Sequence, residues 1–465
     1  MTNTPIDLGE LRADQLPQPA GGWPLWERLR RQSPHWTQLA AAVLVAALTL
    51  TLFASAGPAR DRLTLVFQHD GVHDYIVDDQ HLYFITEDSS RQPQEVVAYR
   101  LSDGALQWHS PLPPNSSNVT PSIQGGVLVL SGESTSGPQI RGFDRHTGEP
   151  LWTVDGWRTG VIGQGEDQLL ILHSFDTGLT AIRPDTGAEV WRFAEEFDTR
   201  TLFDTHYLVR IGSNADPDEH LVQVYDPAAG ELITTGLLPV VRSVESQLIG
   251  SLLLFVHRTD GAVQVSGYDV TTLTHQWTQS LPRPPSQSIL NLHACGALIC
   301  LAHDHVLYVL DPSTGDFRWT FAPSEHSPDQ DQPIRVEPLP DPAQVDLLVV
   351  SISVDQSPQS WLVDASSGEP VLDLADWTLY PPSEEEEQSV VAIRYFRSVP
   401  VWVGRLADDR SRIDVLGELP LPPITEFTEG YCISEWPYLA CRHRTRPGES
   451  PALTVWQVRT GAGLP

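Results

Sequence analysis

An all-β fold, in which four-stranded antiparallel units stack into a closed ring behind one membrane-crossing helix, is the architecture this sequence predicts. Three observations predict it. A motif of about eleven residues returns at intervals of 39 to 53 residues along most of the chain. The stretches between its copies are short, apolar and β-rich, and turn-forming residues separate them. One uncharged apolar segment near the N-terminus is long enough to span a bilayer.

From the N-terminus, residues 1–37 are rich in Pro, Gly and Arg and lack an apolar period, so a disordered cytoplasmic tail is expected. Residues 38–57 are the expected transmembrane helix. Leu39 to Ala56 carries no charge, and its length falls within the roughly 17–25 residues that a bilayer requires. Arg28, Arg30 and Arg31 precede it, whereas Arg60 and Arg62 follow with Asp61 between them. That bias places the tail inside and the remainder outside. Ala54-Ser55-Ala56 also reads as a small-residue cleavage site, so a removed signal peptide is the competing reading. Both readings put residues 60–465 outside the cytoplasm.

The copies of the motif are AYRLSDGALQW (98–108), GFDRHTGEPLW (142–152), AIRPDTGAEVW (181–191), VYDPAAGELIT (224–234), GYDVTTLTHQW (267–277), VLDPSTGDFRW (309–319) and LVDASSGEPVL (362–372). A degenerate copy follows at 404–413, and a truncated one closes the chain at 455–465. The Asp and Thr side chains can bond the turn backbone, and the turn glycines Gly104, Gly148, Gly187, Gly230, Gly315 and Gly368 supply a positive φ. Trp108, Trp152, Trp191, Trp277 and Trp319 stand at a fixed offset beyond the turn, where an indole can pack as a plate between neighbouring units. A four-stranded unit cannot bury both faces alone, so the units must stack, and a ring leaves only short edges.

This pattern, Ala-x-Asp-x-x-Thr-Gly-x-x-x-Trp, resembles the repeat of the pyrroloquinoline quinone-like β-propellers, whose Trp docks blade to blade. The resemblance covers residues 60–465. It is closest at 181–191, where Arg183 takes the usual Asp position. The tail motif Ile6-Asp7-Leu8-Gly9-Glu10-Leu11 is similar to that of actinobacterial single-pass propeller proteins. Leu63–Phe67, ahead of the first copy, is expected to supply the missing outer strand of the last blade. The units then number nine, but the family usually has eight blades, and an eight-bladed ring is the expectation, with nine as the alternative.

Composition removes several functions. The 465 residues carry a formal net charge of −31 and no lysine, which opposes binding to nucleic acid and removes any Schiff-base chemistry. The acidic run Glu384–Glu387 reads as a solvated loop, with calcium binding as the alternative. Cys295/Cys300 and Cys432/Cys441 are close pairs flanking turn-like segments, so two hairpin disulfides formed in an oxidising compartment are expected. Quinoprotein dehydrogenases of the resembled family hold their quinone against a disulfide between adjacent cysteines, with calcium beside it. This chain has no adjacent cysteines, so no cofactor and no catalysis are expected.

His303-Asp304-His305 is the sharpest candidate metal motif, since alternate residues of a strand share a face, although no third ligand can be named. His69 and His73 read as solvated loop residues. No Gly-x-Ser-x-Gly elbow or phosphate-binding loop occurs. Asn115 and Asn118 head formal glycosylation sequons but read as loop residues. Trp157, Trp361, Trp377, Trp402 and Trp436 lie off the motif register, with core packing preferred over a ligand surface. The expected function is a non-catalytic, membrane-anchored scaffold that binds an envelope protein, peptide or glycan. An envelope sensor and a quinone-dependent dehydrogenase are the alternatives.

Overall fold

The computed structural model describes residues 63–459, apart from 164–166, 175–177, 195–198, 214–218, 240–242, 260–261, 282–289, 304–305, 323–333, 340–346, 355–356, 381–389, 395–400, 420–431 and 445–449. The chain divides into two units, Met1–Arg60 and Asp61–Pro465. The expected tail 1–37 and membrane helix 38–57 lie outside the described residues. Among the described residues, no helix is long and apolar enough to cross a membrane.

The described strands of the second unit form nine four-stranded antiparallel sheets. In chain order these blades span 72–111, 117–155, 157–193, 199–238, 243–280, 290–321, 335–375, 377–419, and finally 432–458 together with Leu63–Asp70. Middle strands are apolar on both faces because each blade is covered by two neighbours. In blade 3, Gly178–Ile182 is buried throughout, whereas the outer strand Glu189–Phe193 buries only Trp191.

Nine blades replace the eight expected. The difference lies between Pro323 and Pro423, where the motif is weakest and two complete sheets nevertheless fold. Blade 8 lacks the turn glycine. Arg410 takes the left-handed conformation in its turn, at φ 58°, and Asp409 accepts the Ser411 amide at 3.1 Å. Two-sided apolar burial is what makes a sheet a blade, and Val391–Arg394 and Val401–Leu406 supply it without the consensus residues.

One apolar cluster spans each seam. Tyr83 and Leu128 share the first, Val129 and Leu172 the second, Ile171 and Tyr225 the third, and Val209 and Phe255 the fourth. Leu254 and Leu301 share the fifth, Cys300 and Val350 the sixth, Leu362 and Ala392 the seventh, and Val403 and Leu439 the eighth. The ninth unites Val455 of blade 9 with Phe84 of blade 1 and closes the ring. Closure also rests on strand pairing. Leu63–Asp70 lies antiparallel to Ala452–Val458, with Leu63 opposite Val458 and Gln68 opposite Thr454. The first described strand is thus the outer strand of the last blade, as its position before the first copy suggested.

The turns rest on aspartates. Asp144 accepts the His146 amide at 2.9 Å and the Thr147 amide at 2.8 Å. Asp269 and Asp364 accept the corresponding amides in their own turns. These bonds favour the charged carboxylate. The Thr147 amide is the largest cause for Asp144, and hydroxyls of Thr271, Ser313 and Ser366 are the largest for Asp269, Asp311 and Asp364. All four sit below the usual carboxylate range, Asp311 at about 2. A depressed folded pKa gives stability that is complete above the unfolded value of about 4 and is lost as pH falls through the folded one. Burial also lowers the imidazole pKa of His293 and His443, so the melting temperature should begin to fall below about pH 6.5 and, as the turn carboxylates protonate, fall further toward about pH 2. A melt insensitive to that range would contradict this role for the turns.

Candidate functional site: blade seams and inner strands

The motif tryptophans lie at the seams with one shared geometry. Each indole N–H donates to a backbone carbonyl in the next blade's turn. Trp108 reaches Arg145 O at 2.9 Å, Trp152 reaches Pro184 O at 2.7 Å, and Trp191 reaches Pro227 O at 2.8 Å. Trp277 reaches Pro312 O and Trp319 reaches Ala365 O, both at 2.8 Å. Each ring also lies on that turn's glycine: Gly148, Gly187, Gly230, Gly315 and Gly368 in the same order. A Cβ on Gly187, where φ is +67°, would stand 2.6 Å from Trp152 Cγ, so both space and conformation exclude a side chain there. The residue opposite each Trp in its own blade is Ala98, Gly142, Ala181, Gly267 or Val309. Four of these five are Ala or Gly, and at Gly142 and Gly267 an added Cβ would meet the indole ring at 2.3 and 2.8 Å.

Four of the nine seams lack the Trp, with Leu372 and Val415 at its position in blades 7 and 8, and the other two depart in a compensating way. Gly104 of blade 1 meets Phe67 of the closing strand, whose Cδ1 would lie 3.1 Å from an added Cβ. Phe67 is therefore the plate at closure, without an N–H to donate. Between blades 4 and 5 the Trp position is Thr234 and the turn position is Leu273, at φ 55°. Leu273 keeps the turn bond, donating to Asp269 O at 2.8 Å, and its side chain packs toward Gly236. The large residue has moved across the seam. Thr234→Trp alone should overpack the seam and cost about 1–3 kcal/mol. Leu273→Gly alone should leave a gap. The double variant should recover most of both losses in a denaturant titration, and strict additivity would refute the exchange.

Both expected disulfides are present, Cys295–Cys300 in blade 6 and Cys432–Cys441 in blade 9. Each joins the first strand of its blade to the second, and all four sulfurs belong to buried seam clusters.

First strands of neighbouring blades approach one another around the ring, so they form its inner edge. Polar groups there bridge seams. The Arg158 guanidinium donates to Ser122 Oγ, and Arg200 Nη1 donates to Ser246 Oγ at 2.9 Å. The Tyr75 hydroxyl donates to Ala440 O at 2.8 Å, and Arg442 Nε donates to Val72 O at 3.0 Å. Burial lowers the pKa of Arg158 and raises that of Asp74. These side chains had no signal in the repeat, because their partners sit in other blades.

The remaining candidates distribute as follows. His303 is buried in a middle strand, and Asp304 and His305 lie outside the described residues, as does Glu384–Glu387. His293, Cys295 and Cys300 place ligand-type atoms within 4.8 Å of one another, but the disulfide occupies both sulfurs. His69 and His73 are not solvated loop residues. They lie in Leu63–Asp70 and Val72–Val77, with His69 4.8 Å from the Phe84 ring and His73 3.6 Å from Glu87. Asn115 adopts a positive φ in the connection between blades 1 and 2, whereas Asn118 is not a loop residue but takes a positive φ at a bulge in the strand Ser117–Gln124; both conformations suit asparagine. Trp157 is 37% exposed, and Trp361, Trp377, Trp402 and Trp436 are half-buried.

Two overlapping segments, residues 59–202 and 140–327, match the family model described as outer membrane protein assembly factor BamB. No curated protein sequence matches the chain. Among solved structures, BamB from Moraxella catarrhalis is similar at 14% identity, over 85% of this chain and 99% of that one, with a TM-score of 0.38. A eukaryotic initiation factor is similar at 12% identity over 83% and 94%, with a TM-score of 0.53. The quinohemoprotein alcohol dehydrogenase ADHIIG from Pseudomonas putida HK5 is similar at 11% identity over 87% and 77%, with a TM-score of 0.42. At these identities the likeness concerns the fold alone. The family match runs over more than half of the sequence, and the chain belongs to the BamB-type family of pyrroloquinoline quinone-like β-propeller repeat proteins.

Proposed function

We propose that this chain is a non-catalytic scaffold, held on the outer side of the membrane by residues 38–57, that binds an envelope protein, peptide or glycan. One observation carries the reading: its distinctive side chains are spent on holding blades together. The docking tryptophans, both disulfides and the Arg158 and Arg200 bridges all act within or between blades. A rigid ring suits protein recognition, and the family model that matches is described as an outer membrane protein assembly factor. Two disulfides favour an oxidising compartment.

The test has two arms. Alkaline phosphatase fused after Pro465 should be active in cells, and an inactive fusion would refute the outward orientation. The purified full chain, incubated with pyrroloquinoline quinone and calcium and then dialysed, should retain no quinone absorbance. A stoichiometric retained band would replace the scaffold with a quinone enzyme.

A further inference from the structure

A cleft of about 260 Å³ opens at the seam of blades 1 and 2. Leu112, Val119 and Leu130 form its apolar side, and Glu133 and Arg141 are among its polar groups. Trp108 docks on the Arg145 turn at the end of this seam where the motif turns lie. The up-and-down order of each blade puts the connections between blades, and Leu112 with them, at the opposite end. Arg141 is half-buried on the third strand of blade 2, opposite Leu130. Its Nη2 donates to Gln139 Oε1 at 2.6 Å. Gln139 is itself fixed, since its amide donates to Asp155 Oδ1 at 3.0 Å and to Ser136 Oγ at 3.2 Å. Asp155 is thereby engaged by Gln139, and Arg141 makes no ion pair with a described residue. Arg100, Arg192, Arg318 and Arg412, by contrast, each pair with an acid close in sequence. In a chain with 60 acids and 29 arginines, acids are not scarce. Among the described arginines, burial lowers the pKa of Arg141 and Arg158, with no acid offsetting it. Arg158 spends its charge on the bridge to Ser122, whereas Arg141 lines the cleft.

We propose that this cleft is a binding site for a short aliphatic monocarboxylate, whose carboxylate meets Arg141 and whose alkyl chain lies against Leu112, Val119 and Leu130. A guanidinium carries several N–H donors in a planar fork, and Gln139 takes one of them, which leaves the others for a carboxylate. Glu133 decides the charge of the ligand. Its Oε2 accepts the Ser117 hydroxyl at 3.4 Å, and its charge on the cleft wall opposes a dianion such as phosphate. Size decides the rest. The cleft falls below the roughly 300–1,000 Å³ of pockets for drug-sized ligands, so a group of only a few carbons fits. Two sources share this chemistry, a free short-chain acid and the C-terminal residue of a peptide. The site does not depend on the scaffold reading, since a free acid would bind whatever the ring assembles with.

The experiment uses the full chain in detergent at constant ionic strength, with butyrate as the probe and saturation-transfer NMR as the readout. Butyrate should bind saturably with a Kd of about 1 mM, the range for a ligand this small. Butyramide, its neutral isostere, and inorganic phosphate should each bind about tenfold more weakly or worse. Arg141→Gln should weaken butyrate by about tenfold or more while melting as the wild type does. Arg141→Lys should keep part of the binding, because the charge stays and the fork is lost. Glu133→Gln should tighten butyrate about twofold to fivefold by removing the opposing charge, a gain that a misfolded variant cannot give. A tripeptide ending in valine, competing against butyrate, separates the two sources. Competition by its free-acid form and not by its amide identifies a peptide terminus, and no competition by either identifies the free acid. Butyrate that fails to saturate, or that binds wild type and Arg141→Gln alike, overturns the proposal. So does butyramide or phosphate that binds as tightly as butyrate, or an amidated peptide that competes as well as the free acid.

Discussion

Trp191→Ala is expected to lower the unfolding free energy by about 3–5 kcal/mol, the range for emptying a buried aromatic site. Three contributions disappear together. The indole is 8% exposed and belongs to the cluster that unites Ile171 of blade 3 with Leu208 and Tyr225 of blade 4. Its ring packs 4.7 Å from that of Phe193 and covers Gly230 of the next blade. Its N–H satisfies Pro227 O at 2.8 Å. Trp191→Phe separates these, keeping most of the plate and losing the donor, and should cost about 1–2 kcal/mol. Urea titration followed by circular dichroism measures both. Equal losses for the two variants would mean that the hydrogen bond, not the plate, holds the seam. A loss below about 1 kcal/mol for alanine would remove Trp191 from the docking role altogether.

Deleting Leu63–Asp70 is expected to have the larger effect, abolishing cooperative unfolding. The deletion strips Ala452–Val458 of its outer partner and takes Val66 and Phe67 out of the ninth seam. The Gly104 turn then has no plate to rest on. The newly bared strand reads ALTVWQV, uncharged and apolar, which is a pairing hazard as an open edge. Gel filtration should show aggregates, and tryptophan fluorescence should change gradually with denaturant instead of in one transition. A monomeric product with a sharp transition would show that the ring closes by another route.

The fold was largely legible because the seams repeat. Trp, Gly and Asp recur at fixed offsets, and each offset has one physical cause: the plate, the space beneath it and the cap of the turn. The count was less legible, since blade 8 makes its turn with Arg410 and Asp409, and Leu372 stands at the Trp position of blade 7. Strand burial carried those blades after the motif had faded. The Phe67 plate was hidden because its blade is assembled from both ends of the ring, which moves the residue outside the motif register. The Thr234–Leu273 exchange was visible as two departures, yet only the seam shows that they are one. Arg158 and Arg200 were illegible, because a bond between blades leaves no spacing in a single repeat. The disulfides were readable, since each pair brackets a turn.

The most direct measurement of the central claim, a ring of nine blades clasped by its first described strand, is a disulfide across the clasp. Thr64 and Gln457 stand opposite each other in the closing sheet, and opposed residues of antiparallel strands lie within disulfide range. The Thr64→Cys/Gln457→Cys variant, digested without reductant and analysed by mass spectrometry, should yield one cross-linked peptide pair, with both native disulfides intact. Two freely alkylated thiols at these positions would contradict the clasp and the closed ring with it.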